Sequence, residues 1–597
     1  MFTTRPEIQG TFGCVATTHW LGSAAGMAML ERGGNAFDAA AAAGFVLQVV
    51  EPHLVGPAGD VPIIFQAART GKVEVLCGQA PAPAGATIEH YRDQGLDIIP
   101  GNGMLSTVIP GAFDAWLTLL RDHGRLRLQD VLEPAIHYAR NGHPILPGVV
   151  NVIAGLREFF KREWPTSAAL YLPNGDVPEP RSLFRNEPLA AMWQRVITEA
   201  TASGGSREVV IDRARACFSQ GFVADAIDRF VRETEVMDQS GSRHRGVLTG
   251  ADLAGWQAPY EAPLTYDYLN YTVCKIGPWG QGPMFLQTLA LLKGFDLAAM
   301  DPRSGEFVHV LTEAMKLAFA DREAYYGDPD FVDVPLDVLL SDAYAAERRV
   351  LIGNAASREL IPGVIPGYEG QVEKGLATLA RLASRKTAAA NNEPTTAEML
   401  SARRGDTTHI DVVDSEGNMV AAMPSGGWLQ SSPTIPGLGF ALNSRAQMFL
   451  LEPGLPTSLA PGKRPRTTLT PSFALRDGRP YMAFGSPGGD QQEQWALTMF
   501  LRHVHHGFNL QETIEQPMFH TRHVPSSFYP RDSIPAHLLC EESFGAAVLD
   551  DLRERGHDLQ VAPEWTVGRM VAVSDAGDGI LRAGATPRLM QAYAIGR

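Results

Sequence analysis

Hydrophobic positions in the first quarter of the chain alternate between the spacing of strands and that of helices. Cys14 to Thr17 predicts a strand, and the small-residue segments Leu21 to Glu31 and Ala36 to Val50 predict two helices. The second helix has no polar face, so we expect it to be covered on most sides. Val61 to Gln66 and Val73 to Cys77 then form a predicted hairpin.

The middle of the chain is mainly helical in its pattern. From about Pro110 to Glu235 apolar residues recur at helical spacing, and Asp252 to Cys274 contains aromatic-rich segments typical of strands. Two further helices are predicted, from Met284 to Leu292 and from Glu306 to Tyr326. The segment from about Gln371 to Asp406 is rich in Ala, Lys, Arg, Asn, Thr and Pro, which favours a mobile or excisable linker.

Two short β runs follow this linker and flank a turn. Thr408 to Val413 and Met419 to Met423 lie on either side of Ser415 to Asn418, which predicts a hairpin whose first strand begins at about Thr407. Strands, two helices and further strands follow, which is compatible with a sheet-on-sheet core with helices outside. The predicted segments are Ser472 to Leu475, Tyr481 to Phe484, Gln492 to Val504, Phe544 to Arg555, Met570 to Val573 and Ile580 to Ala583.

Composition narrows the class of protein. The 597 residues are 45% hydrophobic and 20% charged, as in ordinary globular proteins. A formal net charge of −15 argues against nucleic acid and anionic membranes as partners. The five cysteines have no paired spacing, so we expect buried thiols rather than disulfides or a zinc site. Without a visible secretion signal or a run long enough to cross a bilayer, a cytoplasmic location is expected.

A threonine at the head of a strand, directly after a linker, suggests an enzyme that creates its own N-terminus. An N-terminal Thr407 would carry its own base, because an α-amine with a pKa of about 7.7–8.0 is partly neutral at pH 7. Before cleavage the same hydroxyl could attack the carbonyl of Asp406, and water would then open the resulting ester. The alternative is that Thr407 and Thr408 reflect strand propensity alone.

A glycine-rich turn, Gly485 to Gly489, offers a second catalytic element. Gly488 and Gly489 follow a predicted strand and precede a helix, so their N–H groups are suited to binding the oxyanion that forms when an amide carbonyl is attacked. An ordinary strand-to-helix turn is the alternative. A phosphate-binding loop is disfavoured, because no Gly-Lys-Ser/Thr follows.

Several motifs, in this order and spacing, resemble the gamma-glutamyltransferase (gamma-glutamyl transpeptidase) family. They span nearly the whole chain and comprise Glu31 to Ala40, Glu313 to Arg322, Gly327 to Pro335, Thr407-Thr408-His409, Pro461 to Pro465, Thr470-Pro471-Ser472 and Gly485 to Gly489.

The resemblance implies an N-terminal nucleophile hydrolase with an α+β, four-layer αββα sandwich. Such a protein is made as a proenzyme and cut into two subunits, here residues 1–406 and 407–597. Thr407 matches the nucleophile, and Ser425 matches a hydroxyl residue that orients it. Thr467 and Thr468 match paired serines of the substrate pocket, and Gly488 and Gly489 match the oxyanion-binding glycines. No cofactor is implied.

The departures from the family pattern concern the substrate. By alignment, Gln79 stands where transferases of the family hold the γ-glutamyl α-carboxylate with an arginine, and Met448 stands where they hold the α-amino group with an acid. An ammonium facing methionine would lose charge-assisted hydrogen bonds worth roughly 1.5–3 kcal/mol each. The sequence therefore argues against γ-glutamyl specificity.

Three neighbouring residues also differ from the glutathione-cleaving branch. Arg445 is a new cation that would clamp a substrate carboxylate or, alternatively, form a structural salt bridge within the small subunit. Gly427 replaces a pocket asparagine, and Trp428 would form an apolar wall or fill the core. This segment looks more like the acylase and amidohydrolase branches. The histidine groups near residues 503–506 and 520–523 are not expected to bind a metal.

The sequence thus predicts an autoprocessing amidohydrolase that forms an acyl-enzyme on Thr407 and transfers a small acyl group to water or an amine. A true γ-glutamyl hydrolase or transferase acting on glutathione-like substrates is the alternative within the enzyme class. An unprocessed, non-catalytic binding homologue is the alternative outside it. The sequence leaves open whether the paired subunits assemble into a higher homo-oligomer.

Overall fold

The computed structural model describes residues 2–384 and 407–597, and its centre is a pair of seven-stranded sheets. The first sheet places strands in the order Tyr593–Gly596, Gly13–Thr17, Ile410–Asp414, Met419–Ala422, Val61–Gln66, Val73–Gly78 and Tyr260–Glu261. The second has the order Ile8–Gly10, Leu581–Ala585, Val571–Asp575, Arg479–Gly485, Ser472–Arg476, Tyr271–Lys275 and Leu264–Tyr268. Both sheets combine strands from before and after residues 385–406.

Apolar faces of the two sheets pack against each other. Val413 and Ile64 on the first sheet belong to one buried cluster with Phe473 and Val573 on the second. Such alternation of inward-facing residues is what a sheet-on-sheet core requires. Each of the five cysteines is buried with a free thiol, which confirms the expectation of core thiols.

Helices cover the outer face of each sheet. Those over the first sheet are Trp20–Glu31, Ala36–Val50, Ala112–His123, Leu128–Asn141, Pro147–Glu163, Pro165–Tyr171, Glu187–Thr201, Arg207–Ser219, Phe222–Glu233 and Gly250–Ala254. Those over the second are Gly282–Leu292, Gly305–Tyr325, Leu336–Leu339, Asp342–Arg349, Glu369–Ala383, Gln492–His506, Leu510–Ile514 and Ala546–Glu554. The predicted αββα sandwich is therefore confirmed.

Smaller elements complete the described part of the chain. A helix, Ile88–Asp93, lies beside the sandwich, and Phe519–His520, His537–Glu541 and Asp558–Ala562 form a three-stranded sheet. Two-stranded ribbons pair His143–Pro144 with Leu183–Phe184 and Val236–Met237 with Arg243–His244. No described helix combines the length and apolar character that spanning a bilayer needs.

The predicted start of the linker, at about Gln371, is wrong. Residues 369–383 form the helix Glu369–Ala383, whose buried face carries Val372, Thr378 and Leu382. Val372 belongs to the same apolar cluster as the helices over the second sheet. The Ala, Lys and Arg content of the segment hid the helical spacing of its apolar residues. The rest of the predicted linker, with Asp406, lies outside the described residues.

The predicted hairpin after the linker is confirmed with shifted ends. Its strands are Ile410–Asp414 and Met419–Ala422, in antiparallel register with Val412 opposite Val420. The Asp414 side chain accepts hydrogen bonds from the backbone N–H groups of Glu416 and Asn418, both 3.0 Å long, which closes the turn. Gly417 supplies the positive φ of 87° that the turn needs.

Candidate functional site

Thr407 lies just before Ile410–Asp414, an inner strand of the first sheet. It forms an isolated antiparallel bridge with Ser425, and both residues are fully buried. Their hydroxyl oxygens lie 3.4 Å apart. The neighbouring Thr408 points elsewhere, since its hydroxyl donates to the carbonyl of Pro424 at 3.0 Å. The structure thus brings the predicted nucleophile and the predicted orienting hydroxyl together.

The glycine turn lies near Thr407 and brings the Gly489 N–H to this site. Gly488 and Gly489 have φ values of 138° and 58°, a conformation that side-chain-bearing residues rarely adopt. A Cβ on Gly488 would lie 2.3 Å from the Trp495 ring, so a side chain there is also excluded by packing. The turn leads from the Arg479–Gly485 strand into the Gln492–His506 helix.

Gln492, a residue that the sequence reasoning missed, joins Thr407 to this turn. Its side-chain amide meets a complementary partner at both ends only when the oxygen faces Gly489 and Thr407. In that orientation the oxygen accepts from the N–H of Gly489 at 3.1 Å and from the Thr407 hydroxyl at 3.2 Å, while the nitrogen donates to the carbonyl of Thr468 at 3.0 Å. The Gly489 N–H and Thr407 hydroxyl are therefore within reach of one oxygen atom. That is the spatial requirement for attack on a carbonyl whose oxygen becomes negatively charged. The signal available in the sequence was the position of Gln492, three residues after Gly489.

Thr468 lies next to the Gln492 side chain, and Thr467 comes directly before it in the chain. Thr467 bridges Gly280, and its N–H donates to the carbonyl of Trp279 at 2.9 Å. The hydroxyl oxygen of Thr468 is buried and has no hydrogen-bond partner among the described residues. Gln281 fixes the arrangement, because its side-chain nitrogen donates to the carbonyls of both Thr468 and Gly489.

Arg445 lies close to Gly426, the residue after Ser425. Its Nε donates to Asp60 Oδ2 at 2.8 Å, and both side chains are buried. Asp60 belongs to the segment before residue 385, so the predicted salt bridge exists but joins the two segments instead of lying within the second one. Burial raises the pKa of Asp60 to about 6, although the positive charge of Arg445 opposes the rise.

Gln79 contacts the carboxylate of this ion pair. Its side-chain nitrogen lies 3.4 Å from Asp60 Oδ1 and 3.1 Å from the carbonyl of Ala80. Gln79 therefore contacts the carboxylate that holds Arg445, and its predicted contact with substrate remains a prediction.

Gly427 packs against backbone. Gly427 has a φ of 66°, and a Cβ added there would lie 3.1 Å from the Gly59 nitrogen and 3.3 Å from the Ala441 oxygen. The small residue permits this close approach of two loops. Its predicted role in substrate binding remains a prediction.

Trp428 forms a buried cluster with Met448 and Phe528. Its indole N–H lies 2.8 Å from the carbonyl of Leu54 and 3.3 Å from the Ser425 hydroxyl. The Arg445 guanidinium carbon lies 5.2 Å from the centre of the indole ring, a cation–π contact. Trp428 thus lies between the Ser425 hydroxyl and the Arg445 guanidinium.

One group among the described residues has the spacing of metal ligands, and it lies outside this site. His309, Glu313 and His557 bring ligand atoms within 4.8 Å of one another. Lys316 Nζ already donates to Glu313 Oε1 at 2.6 Å, and His309 Nδ1 lies 2.9 Å from His557 Nε2. An ammonium so close to the carboxylate opposes a second cation there. The expectation that the protein needs no metal stays a prediction.

Comparisons with known proteins agree with this geometry. The sequence profile of the family described as gamma-glutamyltranspeptidase matches residues 22–596. The chain is 29% identical to the glutathione hydrolase-like YwrD proenzyme of Bacillus subtilis (strain 168), with 98% of each chain covered. Solved structures similar to this chain include LmbA2991HD, with 52% identity, a TM-score of 0.92 and complete coverage of both chains. A cephalosporin acylase from Bacillus halodurans is 27% identical, with a TM-score of 0.82 over 100% of this chain and 98% of that one.

The Bacillus subtilis relative is a hydrolase-like proenzyme by name and the Bacillus halodurans relative an acylase, and the acylase shares the layered sandwich. Together with the profile match over nearly all of the sequence, they confirm the predicted family and the predicted enzyme class. The chain belongs to the gamma-glutamyltranspeptidase family.

Proposed function

We propose that this protein is a proenzyme that cleaves itself between Asp406 and Thr407 and then hydrolyses an amide bond through an acyl-enzyme on Thr407. The observation that carries this proposal is the meeting of the Thr407 hydroxyl and the Gly489 N–H at one oxygen atom of Gln492. The same point is flanked by Ser425 and Thr468 in a fully buried site.

The reaction follows from ordinary acyl-transfer chemistry. Cleavage frees the α-amine of Thr407, which takes the hydroxyl proton as Oγ1 attacks the amide carbon. The N–H groups of Gly488 and Gly489 stabilise the oxyanion, and the proton passes to the departing amine. Water then attacks the ester on Thr407, adds its hydroxyl to the acyl group and returns a proton to the threonine oxygen. An amine in place of water would give transfer.

Two positions favour an acylase over a glutathione-cleaving enzyme. Met448 is buried against Trp428 and Phe528, so the site presents apolar surface where γ-glutamyl recognition needs an acid. Gln79 offers no positive charge for an α-carboxylate. Because the matched relatives include a glutathione hydrolase-like proenzyme, turnover of glutathione by the purified protein is the comparison that separates these two activities.

The self-cleavage is tested by replacing one hydroxyl at a time. On a denaturing gel, the natural protein should give two pieces, one roughly twice the mass of the other, and mass spectrometry should find Thr407 at the N-terminus of the smaller piece. Thr407→Ala should remain a single chain of 64.6 kDa. Thr408→Ala is the matched control, because that hydroxyl contacts the carbonyl of Pro424 and should not be needed for the cut. Cleavage that persists in Thr407→Ala would contradict the proposal.

A further inference from the structure

Gly488 and Gly489 give the turn before the Gln492–His506 helix few conformational restraints of its own. Both adopt positive φ values and have no side chain to restrict them. An oxyanion donor is effective only when it is held in place before the negative charge develops. On the proposed mechanism, contacts with other parts of the protein must therefore hold the Gly489 N–H.

Gln281 holds the carbonyl side of this turn. Its side-chain nitrogen donates to the carbonyl of Gly489 at 3.1 Å and to that of Thr468 at 3.0 Å. Gln281 is 1% exposed, and its own N–H donates to the carbonyl of Thr467 at 3.1 Å. One carboxamide thus joins the glycine turn to the segment that carries the two threonines.

Arg322 closes these contacts into a ring. Its Nη1 donates to Gln281 Oε1 at 2.8 Å and also to Oδ1 of Asp490, the residue directly after Gly489. Ser527 holds the same carboxylate, because its N–H donates to Oδ2 at 2.8 Å and its hydroxyl to Oδ1 at 2.7 Å. Gly489 is therefore held at its own carbonyl by Gln281 and through the next residue by Arg322.

Both charged groups of this ring are buried. The Arg322 side chain is 0% exposed and that of Asp490 9%. Burial alone would raise the pKa of Asp490, but the positive charge of Arg322 and the donors of Ser527 outweigh burial and lower it. Asp490 thus stays ionised, and charge-assisted hydrogen bonds are roughly twice as strong as neutral ones. The ring is therefore a firm support for the turn.

The ring joins the segments on either side of residues 385–406. Gln281 and Arg322 come from the first segment, whereas Gly489 and Asp490 come from the second. On the proposed cleavage, the piece that carries Thr407 contains neither of the side chains that hold its glycine turn.

We infer that Gln281 and Arg322 are positioning residues that hold the Gly489 N–H where the oxyanion forms, so that the piece before the cut completes the oxyanion site of the piece after it. This inference rests on the proposed acyl-enzyme chemistry of Thr407. Both residues act through Gly489 and Asp490.

The kinetic test uses Gln281→Met, which keeps the length of the side chain and removes its two donated hydrogen bonds. The probes are the p-nitroanilides of acetic, butyric and phenylacetic acid, and rates are normalised to the enzyme that a denaturing gel shows to be cut. We expect kcat to fall by about 10- to 100-fold, the range for a misplaced group in the transition state, with KM within about twofold.

A matched control separates positioning from a general loss of structure. Gln511 is also 1% exposed, and its carboxamide bonds the Glu515 side chain and the backbone of Ala585. Gln511→Met should keep kcat. Arg322→Lys keeps the charge beside Asp490 without the guanidinium geometry, so its kcat should fall between those of Gln281→Met and the natural enzyme.

The pH profile gives a readout that altered folding would not move. On the proposed mechanism, the pH at which kcat/KM is half-maximal reports the α-amine of Thr407. Gln281→Met should keep this pH while the maximum falls, because the variant changes an oxyanion donor and leaves the base in place. A shifted midpoint would assign the effect to the base and overturn the inference.

Hydrogen exchange tests the support without any substrate. Amide exchange in residues 486–491 should become faster in Gln281→Met and stay unchanged in Gln511→Met. Unchanged exchange, unchanged kcat or an equal loss of kcat in both variants would overturn the positioning role and leave the amidohydrolase proposal standing.

Failure of the proposed function has a different signature. If no p-nitroanilide is turned over in a Thr407-dependent way, that result counts against the proposed activity, and the exchange of residues 486–491 still decides whether Gln281 holds the turn. Should Gln281→Met not fold, Arg322→Lys takes its place in the exchange comparison, and unchanged exchange there would overturn the inference.

Discussion

Gln492 holds its carboxamide oxygen between Thr407 and the glycine turn, where it accepts from Gly489 and from Thr407. On the proposed mechanism, the carbonyl oxygen of a substrate binds at the same place. The substrate then has to replace those two hydrogen bonds, and the Gln492 side chain has to turn away. On that mechanism, Gln492 competes with the substrate for the oxyanion site.

This competition predicts a specific kinetic effect. Gln492→Leu should lower KM by about 10- to 30-fold with little change in kcat, because the free enzyme no longer gives up two hydrogen bonds, worth about 1 kcal/mol each, when substrate binds. The comparison is Gln494→Leu on the same helix, since Gln494 is equally buried but binds the carbonyl and N–H of Thr521. Equal changes of KM in both variants, or a large loss of kcat in Gln492→Leu, would contradict this role.

At the residue scale, the sequence predicted the groups that belong to the family pattern and missed those that the fold alone brings together. Thr407, Ser425, Thr468 and Gly489 do meet. Asp60 and Gln492 were not foreseen, because they lie 347 and 85 positions away from Thr407 along the chain, as their numbers show. A contact between such distant positions depends on the packing of both sheets.

At the scale of elements, the Ala36–Val50 helix shows how a glycine permits close packing. Every residue of this helix is buried, and a Cβ on Gly44 would lie 2.5 Å from the ring of Trp116. The sequence predicted this helix and its burial from the absence of a polar face. It missed the packing role of Gly44 because the neighbour, Trp116, belongs to another helix.

Gly44→Ala should therefore destabilise the protein. We expect a loss of about 1–3 kcal/mol from overpacking, which outweighs the roughly 1 kcal/mol that alanine gains in helix propensity. Gly375→Ala is the matched control, because it also lies inside a helix but its nearest neighbouring atom is 4.0 Å away. It should stabilise by about 0.5–1 kcal/mol. Urea unfolding of both variants measures the difference, and a neutral or stabilising Gly44→Ala would contradict the packing argument.

The end of the same helix makes stability depend on pH. Glu51 ends this helix and carries a fully buried carboxyl that accepts hydrogen bonds from Thr18 at 2.9 Å and Gln591 at 2.5 Å. Burial raises the pKa of Glu51 to about 7, against the lowering effect of these donors and of Arg569. Because the folded protein holds this proton more tightly than the unfolded chain, the contribution of Glu51 is full below about pH 4 and is lost as pH rises toward 7.

Glu51→Gln should abolish that loss. Between pH 4 and pH 8, the free energy of unfolding of the natural protein should fall by roughly 3 kcal/mol relative to the variant, from the size of the pKa change. Urea unfolding at a series of pH values measures this difference. The exposed Glu158→Gln should run parallel to the natural protein, and a parallel course for Glu51→Gln would contradict the assignment.

At the scale of the whole molecule, the segments on either side of residues 385–406 are interleaved. The Ile410–Asp414 strand pairs with Gly13–Thr17, and Met419–Ala422 pairs with Val61–Gln66. Buried ion pairs cross the same boundary, with Arg464 to Asp328 and Arg466 to Glu323 both at 2.7 Å. The sequence predicted two subunits from one precursor, but the mutual completion of both sheets is a property of the fold.

This interleaving predicts how the cut protein behaves. The two pieces should elute together in native size-exclusion chromatography and separate only in denaturant, because parting them would open both sheets and expose unpaired strands. Either piece produced alone should be insoluble or unfolded, as measured by circular dichroism. Independent folding of the 407–597 piece would contradict the shared architecture.

The strand that begins near Thr407 is enclosed by neighbours that the proposed cut leaves untouched. On that proposal, switching the enzyme on breaks one peptide bond and leaves an ammonium group on Thr407 and a carboxylate on Asp406, while the paired strands after Thr407 keep their places. Rejoining two such charged ends in water is unfavourable, so each molecule makes the change once. The amount of active enzyme would then be set by how fast new chains are made and old ones destroyed.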